Sequence, residues 1–323
     1  MINRNTPLFI SLVGQTATGK TEKALSLANK LHQQFPNYKI ALISADSKQV
    51  FSELAILTGA DIPKNWLKKK NDSLTYQYFA HQKLPITLHG TSILTGDKEW
   101  SVGHFHNLVI NLVANLTETI FIIVGGTGLY HQQIYQPAAT LHQQPNEKLR
   151  TELETKTLEE LQNQLIESDP NKLIAMNNSD LNNPRRLIRA IEISLSPKDN
   201  PKNNNIKKII PTIQIGLTTE NLEEKIALRV KKRIEQQVIE EIKNFEKNYS
   251  TENLIAKASL GYQEINQYLK NEIDQEKMIE LWTTSEIQYA RRQMTWWKKQ
   301  TQITWQTAEE FSIELIINKI LEN

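Results

Sequence analysis

Apolar runs separated by amphipathic stretches predict buried strands joined by helices in the first part of the chain. The runs are Leu8–Val13, Ile40–Ser44 and Ile120–Val124. Each is mostly apolar along its whole length rather than at alternate positions, which is typical of parallel strands covered on both faces. The stretch Lys20–Phe35 repeats apolar residues with the period of one helix face. This alternation predicts an α/β fold with a parallel sheet flanked by helices.

A purely helical pattern follows and predicts a separate segment. Its four predicted helices are Glu147–Thr155, Thr157–Glu167, Asn171–Met176 and Pro184–Leu195. The run 196–205, rich in Pro and Asn, then predicts a loop. We therefore predict a core of residues 1–137 and 206–323 interrupted by a helical insertion domain at 138–205.

The core pattern resumes after the insertion. Ile209–Leu217 predicts a strand that returns the chain to the sheet, and Leu222–Lys247 and Gln275–Gln300 predict two long helices. Earlier in the core, the polar, Lys-rich stretch 64–78 predicts an excursion over the surface.

Composition narrows the class of protein without pointing to a function. The 323 residues include no cysteine, which excludes disulfides, thiolate zinc sites and cysteine nucleophiles and fits a cytoplasmic protein. No apolar run approaches the ~20 residues of a membrane span. The first strand is predicted so near the start that we expect no signal peptide. The net charge of +2 neither requires nor excludes nucleic acid, so any basic face must be local.

The most specific motif lies directly after the first predicted strand. Residues 14–21 read Gly-Gln-Thr-Ala-Thr-Gly-Lys-Thr, a complete G-x-x-x-x-G-K-[ST] phosphate loop between a strand and a helix. Its backbone N–H groups and its lysine bind phosphates, and the final threonine hydroxyl can ligate Mg²⁺. The candidate diphosphate ligands here are Gly14, Thr16, Ala17, Thr18, Gly19, Lys20 and Thr21.

Polar residues also follow the other two predicted strands. Asp46 comes after the second, so it is expected to face the phosphate loop across the carboxyl edge of the sheet. From position alone, Asp46 is either a carboxylate near Mg²⁺ or a catalytic base. The third strand ends in Gly125-Gly126-Thr127 without the aspartate that usually closes such a strand in an ordinary ATPase.

Cations recur on three predicted helices. Arg229 and Arg233 lie four residues apart beside an apolar stripe, a spacing that suits either a clamp on a diphosphate or a solvated face. The segment 289–299 interleaves arginines and lysines with Tyr and Trp, which suits phosphates and nucleobases, and 185–192 is a basic amphipathic helix. In both segments the aromatic or apolar residues can equally belong to the core while the cations extend into solvent.

Together these blocks resemble one family, the tRNA dimethylallyltransferases (tRNA isopentenyltransferases) of the short bacterial type. The matching blocks are the phosphate loop, Asp46–Phe51, Trp100–Phe105, Gly125–Tyr130, Arg185–Glu192, Leu260–Tyr262 with Glu264, and Arg291–Trp296. They occur in the family's order across nearly the whole chain. The chain departs from the family pattern at Thr58–Pro63 and Thr87–Gly90, segments that we expect to touch RNA or the edge of the loop.

The resemblance implies transfer of the dimethylallyl group from dimethylallyl diphosphate to the exocyclic amine of adenine 37 in tRNA, with Mg²⁺ on Thr21. It implies a P-loop NTPase-like fold in which Asp46 is the general base and Thr127 lies near the diphosphate. From their spacing, Arg229 and Arg233 are the candidate arginines at the diphosphate, with Arg229 as the catalytic one. The residues expected to contact the tRNA anticodon stem-loop are Ser47, Gln49, Arg185, Arg186, Arg291, Arg292, Gln293 and Trp296, with Gln49 at the edge of the extruded base. We expect a cytoplasmic monomer with no membrane contact and no obligate protein partner.

Three other functions share some of these features. A small-molecule P-loop kinase would have the same loop and fold, but would need an ATP-base site and a lid arginine pattern that the sequence lacks. An isopentenyltransferase for free adenine nucleotides would not need the helical insertion. An RNA-binding P-loop module would leave Asp46 and Arg229 without a required role.

Overall fold

The computed structural model describes residues 7–196, 209, 213–249 and 255–322. The chain divides into two compact units, Met1–Gln136 with Lys208–Asn323 and Pro137–Lys207. The predicted insertion began at 138 and ended at 205, within two residues of this division. Most of the predicted loop 196–205 lies outside the described residues.

The larger unit is built on one eight-stranded sheet. Its strands are β1 (Leu8–Gly14), β2 (Lys39–Ser44), β3 (Trp66–Lys69), β4 (Tyr78–His81), β5 (Ile86–His89), β6 (Thr119–Gly125), β7 (Ile213–Thr218) and β8 (Thr304–Thr307). Their order is β3-β4-β5-β2-β6-β1-β7-β8. The six strands from β5 to β8 in this order are parallel, and β4 runs antiparallel to both of its neighbours. The predicted α/β fold with a mostly parallel sheet is confirmed.

Fourteen α-helices occur in the described part of the chain. They are α1 (Lys20–Gln34), α2 (Ala55–Thr58), α3 (Val102–Asn115), α4 (Gly128–Tyr135), α5 (Glu147–Leu153), α6 (Leu158–Ser168), α7 (Pro170–Ala175), α8 (Asn178–Leu181), α9 (Pro184–Leu195), α10 (Leu222–Glu235), α11 (Val238–Asn248), α12 (Tyr262–Leu269), α13 (Gln275–Trp297) and α14 (Ile313–Glu322). Within these described ranges, no helix is both long and apolar enough to cross a membrane.

The central strands are buried on both faces, as their apolar runs predicted. Every residue of β1 and β6 is buried. On one face Leu27 and Leu31 of α1 belong to the same core cluster as Ile10, and on the other Phe105 of α3 clusters with Phe121. Because the central strands are parallel, their carboxyl ends deliver the phosphate loop, Asp46 and Thr127 to one edge of the sheet.

Two predictions for the core were partly wrong. The long helix predicted over Leu222–Lys247 is two helices, because Gln237 adopts a left-handed φ of 69° that ends α10 and starts α11. No Gly or Pro marks this break in the sequence. The stretch 64–78 contains β3 and the first residue of β4, where pairing with the neighbouring strand orders a largely exposed polar segment.

The smaller unit is entirely helical in its described part, α5 to α9, and has a core of its own. Leucines of α6 and α9, among them Leu161 and Leu187, are fully buried in it. Glu192 is also buried and accepts hydrogen bonds from Arg150, Arg189 and the backbone N–H of Asn146. This unit contains Arg185 and Arg186, both of which are exposed.

Candidate active site

The phosphate loop has the backbone shape that the motif requires. Gly14 has a φ of 137°, and a Cβ there would lie 2.3 Å from the carbonyl oxygen of Leu217 on β7. Ala17 and Gly19 also have positive φ, at 60° and 78°. Helix α1 starts at Lys20, so its positive N-terminus is aimed at the loop. Gly14 and Thr18 are buried within the loop, whereas Thr16, Ala17, Gly19, Lys20 and Thr21 face an open pocket.

Helix α13 supports the loop from the side. The backbone N–H of Thr16 donates to Oε1 of Gln293 at 2.7 Å, and Nε2 of Gln15 donates to the carbonyl of Ala290 at 3.0 Å. A Cβ on Gly126 would lie 2.0 Å from Nε2 of Gln293, so glycine at that position makes room for the amide. The side chain of Gln293 is buried and accepts this hydrogen bond from the phosphate loop, and its contact with tRNA stays a prediction.

Among the described cations that line the pocket, Lys20 has the largest shift in pKa. Its ammonium donates to the carbonyl of Gln15 and to Oγ1 of Thr18. Burial, and then the nearby charge of Arg229, lowers the pKa of Lys20 to about 7, while Asp46 acts in the opposite direction. An anion in the pocket would stabilise the charged form of this lysine.

Asp46 is held in place by its own loop. Its Oδ1 accepts from the backbone N–H of Lys48 at 2.8 Å and of Gln49 at 3.4 Å, an Asx turn. Within the described ranges Oδ2 has no hydrogen-bond partner. The carboxylate lines the pocket that the phosphate loop also lines, as its place after β2 predicted.

Gln49 is anchored at both ends of its amide. Its Oε1 accepts from Oγ of Ser44 at 2.8 Å, and its Nε2 donates to the carbonyl of Gly59 at 3.0 Å. One N–H and one lone pair remain for a ligand in the pocket. Ser47 lines the same wall.

Two arginines of α10 contact the segment Thr58–Pro63, which differs from the family pattern. Arg229 donates to Oγ1 of Thr16 in the phosphate loop. Arg233 is 4% exposed and forms an ion pair with Glu286 at 2.6 Å, so the interpretation of a solvated face is wrong for this residue. Burial, and then Arg229, lowers the pKa of Arg233 to about 10 against the effect of Glu286. Both guanidiniums pack against Gly59, which has a φ of 64°.

The pocket between these groups has a volume of about 800 Å³. The phenol of Tyr289 lines it, and burial, followed by the nearby charge of Asp46, raises the pKa of that phenol. Thr127 lies beside Tyr289 rather than among the residues that line the pocket. Sequence reasoning missed Glu286 and included Tyr289 only as part of the segment 289–299, although their spacing to Gln293 places all three on one helix face.

The remaining predicted RNA contacts differ in exposure. Arg291 is exposed and pairs with Glu223 at 2.7 Å, and Arg292 lies at the pocket with its guanidinium 5.8 Å from the ring centre of Tyr289. The ring of Trp296 packs on Gly128, where a Cβ would lie 2.0 Å from the indole, and its contact with tRNA stays a prediction. In the smaller unit, Arg186 pairs with Asp180.

The side chains that line the pocket limit which metal ion it could hold. Within the described ranges no group of three or more His, Asp or Glu side chains is placed to hold a metal ion. Thr21 offers a hydroxyl at the start of α1, where it faces the pocket. Such a site suits Mg²⁺, which binds through few protein oxygens together with substrate phosphates and water.

Comparison with known proteins agrees with this architecture. The family model described as IPP transferase matches residues 49–300. The chain is 32% identical to the tRNA dimethylallyltransferase of Alkaliphilus metalliredigens over 98% of this chain and 96% of that protein. It is 31% identical to that of Trichormus variabilis over 94% and 95%. The structure of the Bacillus halodurans tRNA isopentenylpyrophosphate transferase matches with a TM-score of 0.64 and 26% identity over 98% of each chain. The chain therefore belongs to the IPP transferase family, that of the tRNA dimethylallyltransferases.

Proposed function

We propose that this protein transfers the dimethylallyl group of dimethylallyl diphosphate to the exocyclic amine, N6, of adenine 37 in tRNA. The observation that carries the proposal is the pairing of a phosphate loop with the carboxylate of Asp46 across one pocket, in a chain of this family. A phosphate loop holds a diphosphate, and a carboxylate opposite it removes a proton. Alkyl transfer with diphosphate as the leaving group needs both.

The loop would bind the leaving group rather than a phosphoryl group in transit. Its backbone N–H groups, Lys20 and Arg229 face the pocket and stabilise the negative charge that grows as the allylic C–O bond breaks. Thr21 would hold Mg²⁺, which supplies further charge neutralisation to the diphosphate when bound. Arg233 contributes less directly, because Glu286 already compensates its charge.

Asp46 would act on the acceptor. The N6 lone pair forms the new C–N bond while the C–O electron pair leaves with diphosphate, and the N6 proton passes to the free Oδ2 of Asp46. The Asx turn leaves that oxygen open to the pocket. A positioned base of this kind contributes typically ~10²–10⁴-fold to the rate. Thr127 would act near the diphosphate, and its buried side-chain oxygen has no hydrogen-bond partner among the described residues.

The acceptor would enter as an extruded base, because adenine inside a stacked stem-loop cannot reach the carboxylate. Gln49 has an amide N–H left for its edge, and Ser47 lies beside it. The exposed Arg185, Arg186, Arg291 and Arg292 would contact RNA phosphates. Gln293 and Trp296 also support the phosphate loop and α4, and their contact with the RNA stays a prediction. We infer a cytoplasmic enzyme, since tRNA is modified there.

A transfer assay with labelled dimethylallyl diphosphate and Mg²⁺ tests the proposal. We expect label on an anticodon stem-loop with adenine at position 37 and none on the same RNA with guanine there. Equal transfer to free AMP would instead favour a free-nucleotide isopentenyltransferase. Thermal protection by ATP but not by dimethylallyl diphosphate would favour the kinase.

A further inference from the structure

The ion pair between Arg233 and Glu286 is the most buried in the described part of the chain. The two side chains are 5% and 6% exposed, and Nη1 of Arg233 lies 2.6 Å from Oε1 of Glu286. The guanidinium also lies 5.6 Å from the ring centre of Trp282. A buried pair of this kind loses hydration on both charges, so it adds little net stability for its burial. Its place at the pocket wall points to a role in the site.

Gly59 links this pair to Arg229. A Cβ on Gly59 would lie 2.1 Å from Nη2 of Arg229 and 2.8 Å from Nη2 of Arg233, so both guanidiniums press on the same glycine. Because both guanidiniums are positively charged and contact the same residue, they repel each other. Glu286 pairs with Arg233, whereas Arg229 reaches in the other direction to Oγ1 of Thr16. Arg233 therefore has a carboxylate as its partner, whereas Arg229 contacts the phosphate loop.

We propose that Arg233 and Glu286 form a positioning unit that holds Arg229 against the phosphate loop, and that of these two arginines only Arg229 contacts the diphosphate. Glu286 pairs with Arg233, and Arg233 and the Gly59 turn form one wall. Arg229 lies along that wall and forms no ion pair with a carboxylate in the part of the chain that the structure describes. This inference rests on the proposed function, since it assigns roles within the donor site. It separates two arginines whose spacing predicted a joint clamp.

Binding of inorganic diphosphate with Mg²⁺, followed by calorimetry, tests the assignment without tRNA or catalysis. Glu286→Gln keeps the shape and removes the charge. We expect it to weaken diphosphate binding by about 10-fold or more, because the uncompensated Arg233 then displaces Arg229. Arg233→Met should also weaken binding. The double variant restores the charge balance of the wall, so it should recover most of the affinity lost by either single variant.

The outcomes separate the two roles of Arg233. If Arg233 binds the ligand itself, Glu286→Gln frees its charge and tightens binding, and the double variant stays as weak as Arg233→Met. Either result overturns the proposal. Should Glu286→Gln fail to fold, the comparison of Arg233→Met with the double variant still decides. Glu280→Gln, which breaks an exposed pair with Lys277 on the same helix, is the control and should bind as wild type.

Steady-state transfer kinetics distinguish a positioning role of Glu286 from a purely structural one, because only the former changes KM for one substrate selectively. Glu286→Gln should raise KM for the dimethylallyl donor and leave KM for tRNA unchanged. An equal rise in both KM values, with diphosphate binding unchanged, would contradict the assignment. If wild-type protein binds no diphosphate, the donor site itself is wrong, and the proposed function fails along with this inference.

Discussion

A carboxylate that has one oxygen fixed by its own backbone is well placed to take a proton with the other. Asp46 is in this position, with Oδ1 in an Asx turn and Oδ2 open to the pocket. Asp46→Asn can keep the turn, since an amide oxygen also accepts those N–H groups, but it cannot act as a base. We expect kcat to fall by about 10²-fold or more while tRNA binding is retained.

The same variant separates the two roles that position alone left open for Asp46. A carboxylate that served Mg²⁺ would yield a variant rescued by high Mg²⁺, whereas loss of a base is not rescued. Asp72→Asn, an exposed carboxylate outside the pocket, is the matched control. A near wild-type rate in Asp46→Asn would remove Asp46 from the mechanism.

Lys20 makes the free energy of unfolding of the ligand-free protein depend on pH, and the sign follows from its pKa. Its pKa is about 7 in the folded protein against about 10.4 in the unfolded chain. Between these values the unfolded state binds more protons, so the free energy of unfolding rises with pH from about 7 to about 10. Thermal unfolding of wild type and Lys20→Met across this range checks it. Wild type should gain Tm relative to the variant as pH rises, and parallel profiles would contradict the buried, destabilised ammonium.

At the scale of elements, the short helix α2 depends on a carboxylate from α11. The two oxygens of Glu241 accept from the backbone N–H groups of Ile56 and Leu57, each at 2.8 Å. These are N-terminal donors that a helix cannot satisfy internally. Glu241→Gln keeps one acceptor and leaves the other donor unpaired, so we expect a loss of about 1–2 kcal/mol in the free energy of unfolding.

Urea unfolding measures that loss. Glu240→Gln is the control on the same helix, because Glu240 is exposed and, among the described residues, forms an ion pair with Lys243 alone. Equal effects of the two substitutions would show that the cap on α2 contributes nothing. Because α2 leads into Gly59, the Glu241 variant should also weaken donor binding more than the control does.

Elements with a local signal were predictable from the sequence, and elements fixed by distant partners were not. The phosphate loop and α1 follow from glycine positions and helical period within one stretch. The break at Gln237 carries no Gly or Pro, so no residue type in the sequence marks the left-handed backbone there. The roles of Gln293 and Trp296 depended on partners more than 150 residues away in the chain, Thr16 and Gly128, which a spacing argument on one helix cannot reveal.

At the scale of the molecule, a net charge of +2 requires that tRNA be held by local basic surfaces. Affinity for tRNA should then fall steeply with salt, because each neutralised phosphate releases counterions. Arg185→Ala should lower the slope of log K against log salt by about 1, with donor KM unchanged. Arg186→Ala should change the slope less, since Asp180 already pairs with that arginine. A salt-independent affinity would contradict RNA contact by these residues.

The most direct test of the central claim is mass spectrometry of tRNA nucleosides after incubation with the protein, dimethylallyl diphosphate and Mg²⁺. Unmodified tRNA is the substrate, and Asp46→Asn provides the matched negative control. We predict one new nucleoside, adenosine carrying a dimethylallyl group on N6, at position 37 with wild-type protein and absent with the variant. Unchanged nucleosides with wild-type protein, or equal modification by Asp46→Asn, would contradict it.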